Sequence, residues 1–132
     1  MPHARGTFEV KTTPVSAGDP GVASARLSLA KTFAGDLVGT SRGDMWTADT
    51  EAQGSAGYVA IECVTATLEG RAGSFALQHS STMRRGEPAQ SIMVVPDSGT
   101  GGLAGLTGSM RVVIAPGGAH TYEFEYGWEA AP

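Results

Sequence analysis

Hydrophobic residues in this chain recur at every second position, in short runs broken by Gly, Pro, Asp and Ser. Period two is the signature of a strand with one buried face, and it leaves little of the chain for any other element. Phe8 and Val10 alternate with Thr7, Glu9 and Lys11, and "PVSAGDPG" then reads as a loop. Leu27, Leu29 and Phe33 share a parity in a second strand that ends at "AGD". Leu37 to about Ala48 continues after that turn, and Tyr58 to Leu68 forms a long strand apolar on both faces. The turns "EGRAG" and "RRGEP" bracket Ser74 to Met83 and lead into Ala89 to Val95. Met110 to Ile114 follows a glycine-rich loop, and "APGGAH" connects it to Tyr122, Phe124, Tyr126 and Trp128. No stretch of about ten residues holds the 3.6-residue period of a helix.

Short connections make neighbouring strands antiparallel. About eight such strands remove their exposed edges by closing on themselves. The expected fold is therefore all-β, a single eight-stranded antiparallel up-and-down β-barrel, with a two-sheet β-sandwich as the alternative. The 132 residues fit one domain, 1–132. The nineteen glycines are spread without a collagen period, which points to many turns and kinked strands.

The glycine-rich loop needs separate treatment, because Gly99-Thr100-Gly101-Gly102-Leu103-Ala104 matches the G-x-G-x-x-G/A dinucleotide fingerprint. That fingerprint binds a pyrophosphate only where a helix starts at its end. Here Gly105, Thr107 and Gly108 follow, then a β-branched run ending near Pro116, so no crossover helix is available. The loop reads as a connection, with at most one helical turn near Leu103, and no cofactor is expected. Cys63 is the one cysteine, which excludes an internal disulfide and a multi-cysteine zinc site. His3, His79 and His120 have no metal-ligand spacing, so no metal is expected either. With a net charge of −4 and no basic cluster longer than Arg84-Arg85, nucleic acid is not an expected partner. The N-terminal segment has no apolar signal-peptide core and no run reaches a membrane span, so the expected location is cytoplasmic, away from membranes.

An eight-stranded barrel is wide enough either to be filled by side chains or to hold one small ligand. In the third strand Leu37, Gly39, Ser41, Gly43 and Met45 share a parity, and the other parity carries Arg42 and Asp44, so the small set should face inward. Tyr122, Phe124, Tyr126 and Trp128 face inward from the last strand, leaving Glu123 and Glu125 outside. A small-residue wall at Gly39 and Ser41 opposite an aromatic wall at Tyr122, Phe124 and Tyr126, with Tyr58 beside them, is an expected site for an apolar or aromatic ligand. The alternative is that these aromatics fill the space the glycines leave.

Phe75 and Leu77 carry His79 inward on the same parity. In the fourth strand Glu62 shares a parity with Tyr58, Ala60 and Val64, while Val59, Ile61 and Cys63 share the other, and either set is apolar enough to be inside. If Glu62 is inside, its carboxylate needs a partner, and His79 and Lys31 are available. A Glu62–His79 pair is the candidate catalytic group for proton transfer, or else an internal hydrogen bond that fixes register.

The segments "GTFEVK" (Gly6–Lys11), "FAGDLVG" (Phe33–Gly39), "GRAGSFALQHSST" (Gly70–Thr82) and "VVPDSGTGGLAGLTG" (Val94–Gly108) together resemble a bacterial family of small domains of unknown function. That family is similar in fold to the allene oxide cyclase-like, or dirigent-like, barrel. The resemblance covers nearly the whole chain and implies an eight-stranded barrel and a homo-oligomer. Related barrels guide ring closure or steer coupling by shaping a hydrophobic cavity, but the plant cyclase's sequence around its catalytic groups is not found here, so no catalytic residue transfers. The family often has an aromatic residue where Ile92 stands, which implies an altered cavity. The expected function is binding of a small apolar or aromatic molecule inside the barrel, with isomerase or cyclase action by confinement as its catalytic form. The alternatives are a non-catalytic ligand-binding barrel and a structural oligomeric barrel with a filled core.

Overall fold

The computed structural model describes residues 2–16 and 24–130. Its strands are β1 (His3–Ser16), β2 (Ser24–Gly35), β3 (Leu37–Asp49), β4 (Ala56–Leu68), β5 (Arg71–Arg84), β6 (Glu87–Val94), β7 (Thr100–Gly101), β8 (Leu106–Ile114) and β9 (His120–Trp128). All pairings are antiparallel. The order β4-β3-β2-β1-β9-β8-β6-β5 returns to β4, closing eight strands into the up-and-down barrel that alternation implied, not a sandwich. The two residues of β7 add to β5 at Gly73 and Ser74, beyond the stretch that β6 covers. Among the described residues there is no helix, and so none long and apolar enough to cross a membrane.

The start of the expected "PVSAGDPG" loop belongs to β1, which runs on through Pro14 to Ser16 with a bulge between those two residues; the rest lies outside the described residues. Closure is thinnest between β6 and β8. Met93 there faces Ser109, and the Val112 N–H donates to Gln90 Oε1 at 2.8 Å, a side chain standing in for a ladder bond.

One half of the interior is packed solid. Phe75 stacks on Phe124 at 6.1 Å between ring centroids, and Phe33 meets Tyr122 edge-on at 5.7 Å. The glycine-rich loop belongs to this half. Gly102 N–H donates to Ala72 O, Leu103 N–H to Thr100 O and Ala104 N–H to Gly101 O, so these amides serve the turn and not a phosphate. Leu103 is fully buried and plugs the end of the barrel.

Tyr122 ties β9 to the turn between β2 and β3. Its hydroxyl accepts from Leu37 N–H at 2.9 Å and lies 3.0 Å from the carbonyl oxygen of Ala34. Tyr122→Phe strands a buried backbone N–H, so it is expected to cost about 1–3 kcal/mol. Urea unfolding checks this: the midpoint should fall with the slope unchanged.

Candidate functional site

The inward parity of β4 is Tyr58, Ala60, Glu62, Val64, Ala66 and Leu68, while Val59, Ile61 and Cys63 face out. Glu62 is thus carried inside and is 0% exposed. Each strand near it supplies a partner. Lys31 Nζ on β2 donates to Glu62 Oε1 at 3.0 Å, and His79 Nε2 on β5 meets the same oxygen at 2.8 Å. Ser41 Oγ on β3 donates to Oε2 at 2.5 Å. Register makes this meeting possible. Ser41 stands opposite Lys31, and His79 stands opposite Ala60, a diagonal neighbour of Glu62 within reach of a long side chain.

Burial alone would raise the Glu62 pKa. The hydrogen bond to His79, the Lys31 charge and the Ser41 hydroxyl outweigh it and hold the carboxyl at about 2. Glu62 is therefore ionised at neutral pH and only accepts hydrogen bonds. His79 Nε2 must then be the donor, and a neutral ring leaves Nδ1 as an acceptor. Among the described residues that Nδ1 is buried with no hydrogen-bond partner, on a side chain 4% exposed.

His79 and Lys31 form part of the floor of a cavity of about 880 Å³ in the other half of the barrel. Phe8, Leu29, Tyr58, Ile92 and Val112 wall it, and Met83, Pro88 and Ile114 stand toward its rim. Lys31 Nζ lies over the Phe8 ring at 4.8 Å, and the Tyr58 and His79 rings are 6.3 Å apart.

Of the residues expected to touch a ligand, Tyr58 lines this cavity. The others are placed differently. Tyr122, Phe124 and Tyr126 are fully buried in the packed half, where they fill the barrel instead of facing open space. Ser41 lies beneath the floor with its hydroxyl on Glu62. Gly39 makes no room for a ligand, because a Cβ there would collide with the Thr65 carbonyl and with Ala66. Its smallness serves the close approach of β3 to β4. The lining also takes in Phe8, Leu29 and His120, which the sequence pattern does not single out, and Ile92, the position at which the family resemblance implies an altered cavity. His120, the last residue of the "APGGAH" connection, opens β9 on the parity of Tyr122 and sits 5.2 Å from the Phe8 ring.

The family of proteins of unknown function DUF3224 matches residues 4–126. The chain belongs to the DUF3224 family. A crystal structure of a DUF3224 protein of unknown function from Shewanella oneidensis MR-1 superposes with a TM-score of 0.94 at 46% identity, covering 99% of each chain. No curated protein matches the chain significantly. The DUF3224 barrel is thus an established fold, and what its interior does has to be argued from the floor and the cavity.

Removing the Glu62 charge should show how firmly the floor is held. Glu62→Leu leaves Lys31 buried without a counter-charge and is expected to cost about 3–5 kcal/mol. Glu62→Gln should cost less, since the amide still hydrogen-bonds, and Lys31→Met/Glu62→Leu should recover part of the loss. A double-mutant cycle with no coupling between Lys31 and Glu62 would contradict the arrangement.

The pH response follows from the same carboxylate. Its folded pKa of about 2 lies below the ordinary 4.5, so its contribution is complete above about pH 4.5 and is lost as pH falls toward 2. The expected loss is on the order of 3 kcal/mol. Urea midpoints measured from neutral pH downward should therefore converge for the native protein and Glu62→Gln near pH 2. A gap that stayed constant would refute the assignment.

Proposed function

We propose that this DUF3224 protein binds a small, largely apolar or aromatic molecule in the open half of its barrel. The carrying observation is a cavity of about 880 Å³ with apolar walls and, at its floor, His79 Nδ1, which with Ser81 Oγ is one of two buried side-chain polar atoms left unpartnered among the described residues. Small-molecule sites combine these features: a few hundred Å³ or more of apolar lining with few, fixed polar groups. A wholly filled structural barrel gives no reason to leave an imidazole nitrogen unpaired on a residue that borders a cavity. Isomerase or cyclase action by confinement is the catalytic form of this proposal. It rests on the resemblance to allene oxide cyclase-like barrels and on the Glu62–His79 pair, whereas a non-catalytic carrier needs the cavity alone. Assembly into a homo-oligomer in the cytoplasm belongs to the same proposal, with Trp46, Val59 and Ile61 about half exposed on the outer face of β3 and β4.

Thermal melts with a panel of small neutral aromatics test it. A compound bound only by the folded barrel raises its stability by about 2.7 kcal/mol at a concentration 100 times its Kd. Ala60→Phe places a ring in the cavity and should abolish the rise while leaving the strands paired. If no compound shifts the native protein, or if Ala60→Phe responds equally, the proposal fails.

A further inference from the structure

The floor of the cavity is asymmetric in a way that narrows the class of ligand. His79 is locked at one end, with Nε2 on an ionised carboxylate, so in the neutral ring its buried, unpartnered Nδ1 is an acceptor that asks for a hydrogen-bond donor. Beside it Lys31 Nζ has three donors and gives one to Glu62 Oε1. A group that both donates to the imidazole and accepts from the ammonium suits the pair, and a hydroxyl does both.

Charge decides which hydroxyl. Lys31 and Glu62 cancel, so the floor carries no net charge to offset an entering carboxylate. At the wall Arg111 lies 3.6 Å from Glu123 and is balanced as well. Tyr58 and His120 are the other titratable groups on the cavity wall, and the His120 ring packs against Phe8. An anion brought in from water would meet apolar walls without compensation, whereas a neutral weak acid enters without that cost. Phe8 and Tyr58 present aromatic surface on either side of the floor, which favours a planar ring.

The geometry points to a phenol, or an enol of like shape, as the ligand: its hydroxyl donates to His79 Nδ1, its oxygen lies against Lys31 Nζ, and the proton can pass to the imidazole. This rests on the binding reading above and names the class of molecule bound. In the transfer the O–H bond breaks and its electron pair stays on oxygen, while an N–H bond forms at Nδ1. The imidazolium then lies between two anions, the Glu62 carboxylate and the phenolate, with Lys31 beside both. The total charge of the floor and ligand is unchanged, so the step needs no outside ion. The carboxylate holds the ring in the tautomer that can accept, the role an acid plays behind a catalytic histidine.

The test uses two probes of nearly the same shape, 4-nitrophenol and its methyl ether 4-nitroanisole, titrated into the native protein at a pH below the phenol's own pKa. The phenol is expected to bind at least about tenfold tighter, a gap of about 1.4 kcal/mol. The bound phenol should also show the long-wavelength absorption of the phenolate. His79→Gln keeps a donor for Glu62 but removes the acceptor, and should lose both the preference and the band. Lys31→Gln keeps the hydrogen bond without the charge and should bind the phenol without the band. Because the two probes are compared on the native protein, the outcome does not depend on either variant folding. Equal binding of the probes, or a bound phenol with no phenolate band, overturns this inference and leaves the binding barrel standing. Binding of neither overturns both.

Discussion

An ionised carboxylate inside a barrel of this size is the constraint from which the arrangement of the interior follows. Burying such a charge costs several kcal/mol unless partners surround it. The partners of Glu62 come from four consecutive strands with its own included: Lys31 on β2, Ser41 on β3 and His79 on β5. A slip of one residue in any of these ladders would turn the corresponding side chain to the outer face. The carboxylate therefore favours one register across half the wall. Hydrophobic burial alone specifies β4 poorly, because its two faces are both apolar.

The same group divides the interior. On one side lie the stacked rings of Phe75 and Phe124 and the plug at Leu103. On the other the wall is uneven. β1 pairs with β9 only from His3 to Phe8, yet continues against β2 to Ser16. β6, β8 and β9 have 8, 9 and 9 residues, against 12 to 14 in β1 to β5. Short strands set beside long ones leave a low rim, and that half stays open. Hollow and filled, the two outcomes open to an eight-stranded barrel, thus occur in one molecule, separated by the layer of polar side chains.

Parity made much of this legible. Phe75 and Leu77 fixed the direction of His79 on one strand, and the need of a buried acid for a partner pointed from Glu62 to His79 and Lys31. The fingerprint in the glycine-rich loop could be set aside because no helix follows it. What parity cannot give is height along the barrel axis. Tyr122, Phe124 and Tyr126 do face inward, but at the packed end, and nothing in alternation separates that end from the open one. Small size misled for another reason. At Gly39 a missing side chain reflects the close crossing of β3 and β4, and a sequence cannot separate room for a ligand from room for a neighbouring backbone. His120 stands where the "APGGAH" turn meets the alternating run to Trp128, so the sequence does not single it out as a lining residue, although its parity with Tyr122 points it inward.

The shared fold cannot by itself say what a DUF3224 barrel binds, since one fold hosts many functions and the site decides among them. Here the site is narrow in chemical terms. Glu62 Oε1 receives both Lys31 and His79, and Oε2 receives Ser41, so rotating any one of these side chains breaks a buried, charge-assisted bond. The imidazole is consequently held before any ligand arrives, and the direction of its free nitrogen is set by strand geometry. Holding a polar group in place beforehand removes the cost of ordering it on binding, so recognition here gains from rigidity that β2 to β5 already supply. An apolar residue in place of His79 would have left a greasy floor able to hold many molecules loosely. The carboxylate beneath the floor instead turns a general cavity into one with a directional preference.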